Sequence, residues 1–430
     1  MRISVLLIFL GLLGSCASLK RSAIVREIDI LEQDFHHHAG FYLYDPESGK
    51  VLIDKNGDRY FTPASNTKIF TLFATLNILG DSLPGLYYQE RADSLIFWGT
   101  GDPSLLYEYL PAGNVLDFLT NSEKRLFYSS SNFAELSFGP GWSWDDYNYT
   151  YSVERTPLPM YGNLFVLRKE DNTPYLKIDQ PYFKSHVWLG DSTTGETVIE
   201  REVGSNKTVY SPSRDGSDFE HQIPFRYHDQ VVASLLSDTI KKPVKVIHQP
   251  LPEQWSTVMS IPTDSALKEM MQESDNFIAE QLLLMCGGVV TDTLNIDKAI
   301  DHVQMQMMTG IPDRPVWVDG SGLSRYNLFT PRAVVWLWEL LLKKYGKERL
   351  YPLLAAGGQS GTIRHYYKAD PPYIYGKTGT LSNNHILSGY LITKSGKTLI
   401  FSFMNNNYTT ESYPVKKRME KILWEIREKY

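Results

Sequence analysis

The strand signals that most constrain this chain lie at its two ends. Gly40-Phe-Tyr-Leu-Tyr-Asp45 and Lys50-Val-Leu-Ile-Asp54 flank the turn Pro46-Glu-Ser-Gly49 and read as a β-hairpin. Near the other end, Tyr373-Ile-Tyr-Gly-Lys377 and the stretches 386–393 and 398–405 read as three antiparallel strands, the last two joined by Lys394-Ser-Gly-Lys397. A final helix from Pro414 to Tyr430 starts with proline in its first turn. Helical apolar spacing marks 264–272, 277–285, 296–308 and 331–345, and residues 20–35 also look helical. The two ends must meet for the sheet to close. The class is therefore α/β (α+β), an antiparallel sheet flanked by helices.

Between about residue 85 and residue 253 the character changes. Short strands such as Ser94-Leu-Ile-Phe-Trp98 and Glu196-Thr-Val-Ile-Glu200 alternate with glycine and proline turns, and one helix from His228 to about Ile240 ends the region. This reads as a β-rich insertion of one or more domains over 85–253, with 16–84 and 254–430 forming the interrupted domain. A length of 430 residues agrees with more than one core. The net charge of −6 gives no electrostatic reason to expect a nucleic-acid partner.

The first residues are more specific. Met1-Arg2 leads into the apolar run Val5 to Leu13, then Gly14-Ser15-Cys16. A basic start, a short apolar run and small residues describe a secretory signal over 1–15, too short to span a bilayer. The segment resembles a bacterial lipoprotein cleavage site, with Cys16 as the acylated first residue; an ordinary signal with an incidental cysteine is the other reading. Ala17 in place of an aspartate speaks, by the same resemblance, for the outer membrane. Cys286 is then the one remaining thiol, so no intrachain disulfide is available, and its place at the end of Leu282-Leu-Leu-Met-Cys286 makes it a core residue.

Chemistry concentrates in 61–80. After Pro63, Ile69, Phe70, Phe73, Leu76 and Leu79 recur at helical spacing until Gly80 stops the run. Ser65 sits at the first turn, and Lys68 lies one turn above it on the same face. A serine hydroxyl is a poor nucleophile until a base takes its proton, and a lysine with a lowered pKa can do so. Taken singly, the pair equally fits an N-cap serine with a solvated lysine, and Ser265-Ala-Leu-Lys268 has the same spacing. Two further motifs follow in order. Ser274-Asp275-Asn276 falls at a junction between helices, where a hydroxyl can relay a proton and an amide can hold a carbonyl. Ser130–Asn132 and Ser382–Asn384 share its pattern but not its context. Lys377-Thr378-Gly379-Thr380 ends an aromatic strand, supplying a fixed charge, a hydroxyl donor and a glycine that permits close approach.

The trio in this order is that of penicillin-binding proteins and class A β-lactamases. The chain resembles the low-molecular-mass class C penicillin-binding proteins, the D-alanyl-D-alanine carboxypeptidase/endopeptidases. The likeness rests on Pro63-Ala-Ser-Asn-Thr-Lys68 and Tyr375-Gly-Lys-Thr-Gly-Thr-Leu381, and on Gly99-Thr-Gly-Asp-Pro103, Pro140-Gly-Trp-Ser-Trp-Asp-Asp146, and Val318-Asp-Gly-Ser-Gly-Leu-Ser-Arg325 with Asn327. The resemblance implies a β-lactamase/transpeptidase-like domain acting on peptidoglycan stem peptides through an acyl-enzyme, without cofactor or metal, and acylated by β-lactam antibiotics. It implies Ser65 as nucleophile and Lys68 as base. Ser274 and Asn276 would assist, and Lys377 and Thr378 would hold the terminal carboxylate. The amides of Ser65 and Thr380 would form the oxyanion hole. Asp146 and Arg325 would meet the free end of the stem's diamino acid; read without it, they are a turn residue and a salt-bridge residue. The implied location is the periplasm, on a lipid anchor. The rival readings are a β-lactamase, which nitrocefin turnover would reveal, and an inactive cell-wall binding protein, in which Lys68 need not stay within reach of Ser65.

Overall fold

The computed structural model describes residues 21–170, 176–193 and 195–430; the signal-like segment 1–15 and Cys16 lie outside them. His38–Asp45 is the strand that joins the two ends of the chain. It pairs antiparallel with Lys50–Lys55 on one side and with Thr398–Asn406 on the other, setting Phe41 opposite Phe403. Asn384–Ile392, Ile374–Leu381 and the short Ala355–Ala356 complete six antiparallel strands. The expected antiparallel sheet, closed by both ends, is what forms.

Strand periodicity decides which side chains face which layer. Ile386, Tyr390, Ile400 and Met404 point to a layer made by Lys68–Ile78, Thr263–Gln272, Asn276–Thr291 and Pro331–Leu350. Leu387, Leu391, Phe401 and Phe403 point the other way, onto the helix at 21–35 and the terminal helix Ser412–Lys429. Ile24, Ile28 and Leu31 from the first helix meet Val415, Met419, Ile422 and Ile426 from the last. Each such buried side chain contributes about 1.5–3 kcal/mol, so this layer stands only when both ends are present.

Asn276–Thr291 is buried on nearly all sides, as its almost wholly apolar sequence requires. It runs past the Met285 expected from the sequence, and Cys286 inside it is fully buried, its thiol pushed up to about 12 by burial. Pro331–Leu350 likewise continues beyond Tyr345. Gly346 leaves helical geometry at φ 72°, and the next turn resumes to bury Leu350.

The insertion leaves and returns on neighbouring strands. Ser82–Arg91 and Ser256–Pro262 pair antiparallel at one edge of a five-stranded sheet. Ser94–Gly99, Arg125–Ser129 and Val244–Val246 continue it, the last three in parallel. Val115–Asn121 lies in the first parallel crossover and Asp229–Ile240 precedes the last strand. Two three-stranded sheets are built on Leu164–Lys169 and Thr208–Ser211. The insertion is fastened to the central helix by Gln281, whose Nε2 donates to Gly101 O (2.9 Å) and Thr156 O (2.8 Å).

Candidate active site

Pro63 leads into a 3-10 turn, Ala64–Thr67, that runs on as the helix Lys68–Ile78. Lys68 is fully buried in the first turn of that helix. Its Nζ lies 3.1 Å from Ser65 Oγ and donates to Asn276 Oδ1 (2.6 Å) and Ser321 O (2.8 Å). Burial lowers its ammonium to about 8, against the opposing pull of Asp275, Glu280 and Asp319. An amine so placed can be neutral near neutral pH with its lone pair at the Ser65 hydroxyl.

The second motif is built around a helix cap. Asp275 caps Asn276–Thr291, accepting from Ile278 N (2.8 Å) and from the Tyr107 hydroxyl (2.6 Å). Ser274, just before the cap, takes a left-handed φ of 67°, an uncommon conformation for serine. Its Oγ accepts from Lys377 Nζ at 2.8 Å. Asn276 bridges: its Oδ1 receives Lys68 and its Nδ2 donates to Tyr151 O (3.0 Å). Lys377 is also fully buried, and burial, followed by the nearby Lys68 charge, holds its ammonium well below the usual lysine range.

The third motif docks by its glycine. A Cβ on Gly379 would stand 2.6 Å from Pro63 O and 2.9 Å from Ser65 N, so only glycine lets this strand lie against the Ser65 turn. The same contact brings the backbone around Thr380 beside the Ser65 amide. Gly322, at φ 87°, is required on the opposite side, where a Cβ would meet Ala64 O at 2.0 Å.

Several residues holding this arrangement were not singled out from the sequence. Asn66 Nδ2 donates to Lys377 O (2.9 Å), its Oδ1 accepts from Ser388 (2.5 Å), and Ser388 in turn accepts from Trp338 Nε1 (2.9 Å). Behind Lys68, the Arg155 guanidinium donates twice to Glu280 Oε2 (2.9 and 2.7 Å). Glu280 Oε1 accepts from Ser321 N (2.7 Å), fixing the carbonyl that receives Lys68. Asp319 gathers the amides of Gly322 and Ser324, Asn327 Nδ2 and Trp142 Nε1; burial, then the neighbouring Glu280, pushes its carboxyl up to about 6. Of these, Asn66, Trp142, Asp319, Ser321, Gly322, Ser324 and Asn327 stood in the quoted segments without a role.

One cavity of about 410 Å³ is lined by Ser65, Ser274, Asn276 and Thr380 together with Asp146 and Arg325. Lys68 and Lys377 lie beneath its floor. Asp146 sits in the 3-10 turn Trp144–Asn148 and accepts the Tyr151 hydroxyl (2.9 Å). Arg325 is exposed and makes no ion pair or hydrogen bond among the described residues. The remaining motif-like pairs do other work. Asn132 donates to Gly99 O (2.9 Å) in the insertion, and Lys268 is exposed to solvent.

Residues 25–427 match the model of the family described as D-Ala-D-Ala carboxypeptidase 3 (S13). The chain is 24% identical over 424 residues to the D-alanyl-D-alanine carboxypeptidase DacB of Haemophilus influenzae, covering 87% of this chain and 86% of that one. The crystal structure of penicillin binding protein 4 (dacB) from the same organism superposes with a TM-score of 0.77 at 22% identity, covering 93% of this chain and 99% of the other. A structure of that protein complexed with a β-lactam gives a TM-score of 0.73 at 20% identity, with the same coverage of both.

Proposed function

The chain belongs to the D-Ala-D-Ala carboxypeptidase 3 (S13) family and is a penicillin-binding protein of the low-molecular-mass class C type, and we propose that Ser65 carries its reaction. The observation that supports this is the buried Lys68 amine 3.1 Å from Ser65 Oγ. As Oγ attacks the carbonyl carbon of the penultimate D-alanine, its proton passes to neutral Lys68. The two backbone amides at Ser65 and Thr380 stabilise the oxyanion. The C–N bond then breaks as the proton held by Lys68 is passed on to the leaving amine through the Ser274 hydroxyl, whose Oγ accepts from Lys377 Nζ at 2.8 Å. Water then attacks the ester carbonyl, giving a proton to the again neutral Lys68, which returns it to Ser65 Oγ as the C–O bond breaks and the shortened peptide leaves. Lys377 and Thr378 receive the substrate's terminal carboxylate, and Asn276 positions its amide carbonyl. A β-lactam undergoes the same attack, but its amine stays tethered after the ring opens. The experiment is release of D-alanine from a stem pentapeptide by the purified protein, with Ser65→Ala as control. A protein that releases none and takes no penicillin would overturn the reading.

Asp146 and Arg325 extend the proposal to the stem's side chain. Both line the Ser65 cavity, and among the described residues Arg325 is not consumed by an ion pair. A carboxylate and a guanidinium so placed suit the ammonium and carboxylate of a free diamino acid end. Asp146 is only partly buried and Arg325 is exposed, so truncating one partner should cost less than the roughly 2–5 kcal/mol of a fully buried charge pair. Asp146→Ala should therefore lower kcat/KM for peptides bearing that end, while acylation by a simple penicillin changes little. An unchanged ratio between the two ligands would leave Asp146 as a turn residue only.

For location, we propose a periplasmic protein held in the outer membrane by a lipid anchor on Cys16, from the signal-like segment before it. Cys16→Ala should move the protein to the soluble periplasmic fraction with acylation intact, because several acyl chains together hold where one is marginal. Retention of the variant in salt-washed membranes would contradict the anchor.

A further inference from the structure

A second cavity, of about 330 Å³, opens from the Ser65 cleft on the side of the Lys377 strand, with Thr380 lining both. Its floor is Thr378 and Thr380. Their hydroxyls touch Thr362 Oγ1 (2.6 Å) and His385 Nδ1 (2.8 Å). Two cations face it. Arg364 is already paired with Glu273, at 2.7 and 2.5 Å to the two carboxylate oxygens. Lys416, from the terminal helix, is half-buried and has no hydrogen-bond or ion-pair partner among the described residues. His385, buried beside it, is held neutral, its pKa lowered to about 3 by burial and then by the Lys416 charge. Among the described residues, the Lys416 ammonium at this cavity thus has no partner.

Its position says what could. The carboxylate of a single departing D-alanine ends at Lys377 and Thr378 and leaves the space beyond them empty. In a cross-linked peptide the departing amine belongs to the diamino acid of a second strand, and that strand continues past the same threonines with carboxylates of its own. We infer, resting on the assignment of Ser65, that the cavity between Thr378 and Lys416 is a subsite for the leaving strand of a cross-linked stem peptide, with Lys416 pairing one of its carboxylates. Thr362 and Thr378 offer hydroxyls along the path, and Arg364 with Glu273 closes the side toward Ser274.

The test compares kcat/KM on a stem pentapeptide with that on a D,D-cross-linked dimer of tetrapeptides. It uses the parent, Lys416→Glu, Lys416→Ala and Lys416→Arg. Charge reversal should lower dimer cleavage about tenfold, mainly through KM, as a half-buried charge pair predicts. Lys416→Ala should fall between, and Lys416→Arg should keep most of the parent rate. Pentapeptide hydrolysis and penicillin acylation should stay within about twofold in all three, which also reports an intact fold. Dimer cleavage untouched by charge reversal would overturn the subsite, as would equal losses on both substrates or a parent that is acylated yet leaves the dimer whole. A parent inert to penicillin and pentapeptide alike would instead strike at the Ser65 assignment.

Discussion

Ser65→Ala should abolish covalent labelling by a fluorescent penicillin and reduce D-alanine release by several orders of magnitude, roughly 10⁴ to 10⁶ on the scale of other catalytic nucleophiles. The loss should be chemical and not structural. The substitution removes one hydroxyl, and Lys68 keeps Asn276 Oδ1 and Ser321 O as acceptors. The turn itself is held by Asn66, through Lys377 O and Ser388, and not by Ser65. The melting temperature should accordingly move by only a few degrees, the size expected for about 1 kcal/mol or less. The competing serine is Ser265, on the helix Thr263–Gln272, whose Lys268 is exposed to solvent. Label that survives in Ser65→Ala, or a modified peptide that maps to Ser265, would show the wrong serine had been chosen.

The sheet was legible because both kinds of signal in its strands agree. Alternation within 386–393 and 398–405 matches the two layers that cover Asn384–Ile392 and Thr398–Asn406, and the Pro46–Gly49 turn sets the hairpin. Helix ends were less legible. The apolar run stops at Cys286, but Gly287 and Gly288 still lie inside the buried helix because tertiary packing outweighs their low propensity. The three motifs were readable as short patterns because each residue must touch the reacting atoms or their immediate neighbours. Glu280 and Arg155 were not, and Asn66 stood inside the first motif without a role. Each acts through a partner far away in the chain, and a glutamate inside an apolar helix or an arginine in an irregular segment carries no local mark of that partner. Glu280 did leave one trace, as the single acidic residue in the apolar run from Phe277 to Cys286. A buried charge of that kind has to be paired.

Lys68→Arg should cost roughly 10² to 10⁴ in the rate of acylation, the range for removal of a general base. Arginine keeps the positive charge and the donors toward Asn276 and Ser321, but it does not give up its proton in a protein. Charge without basicity is therefore what the variant isolates. In the parent, a lysine lowered to about 8 is neutral in roughly one molecule in ten at pH 7, against about one in three thousand for an unshifted lysine. Acylation should thus rise with pH, about tenfold per unit below pH 8, and level off above it, because deprotonation creates the active form. The sign follows from burial: it disfavours the ammonium, while Asp275, Glu280 and Asp319 favour it and keep the limb from falling lower. The arginine variant should be slow and lack that limb. Lys377 supplies the rival account, since it is also buried, is also lowered by burial, and reaches the cleft through Ser274. If Lys68→Arg were acylated near the parent rate with the same limb, the proton would be leaving through Ser274 to Lys377. Lys68 would then be a buried charge that positions Asn276, and the roles of the two lysines would have to be exchanged.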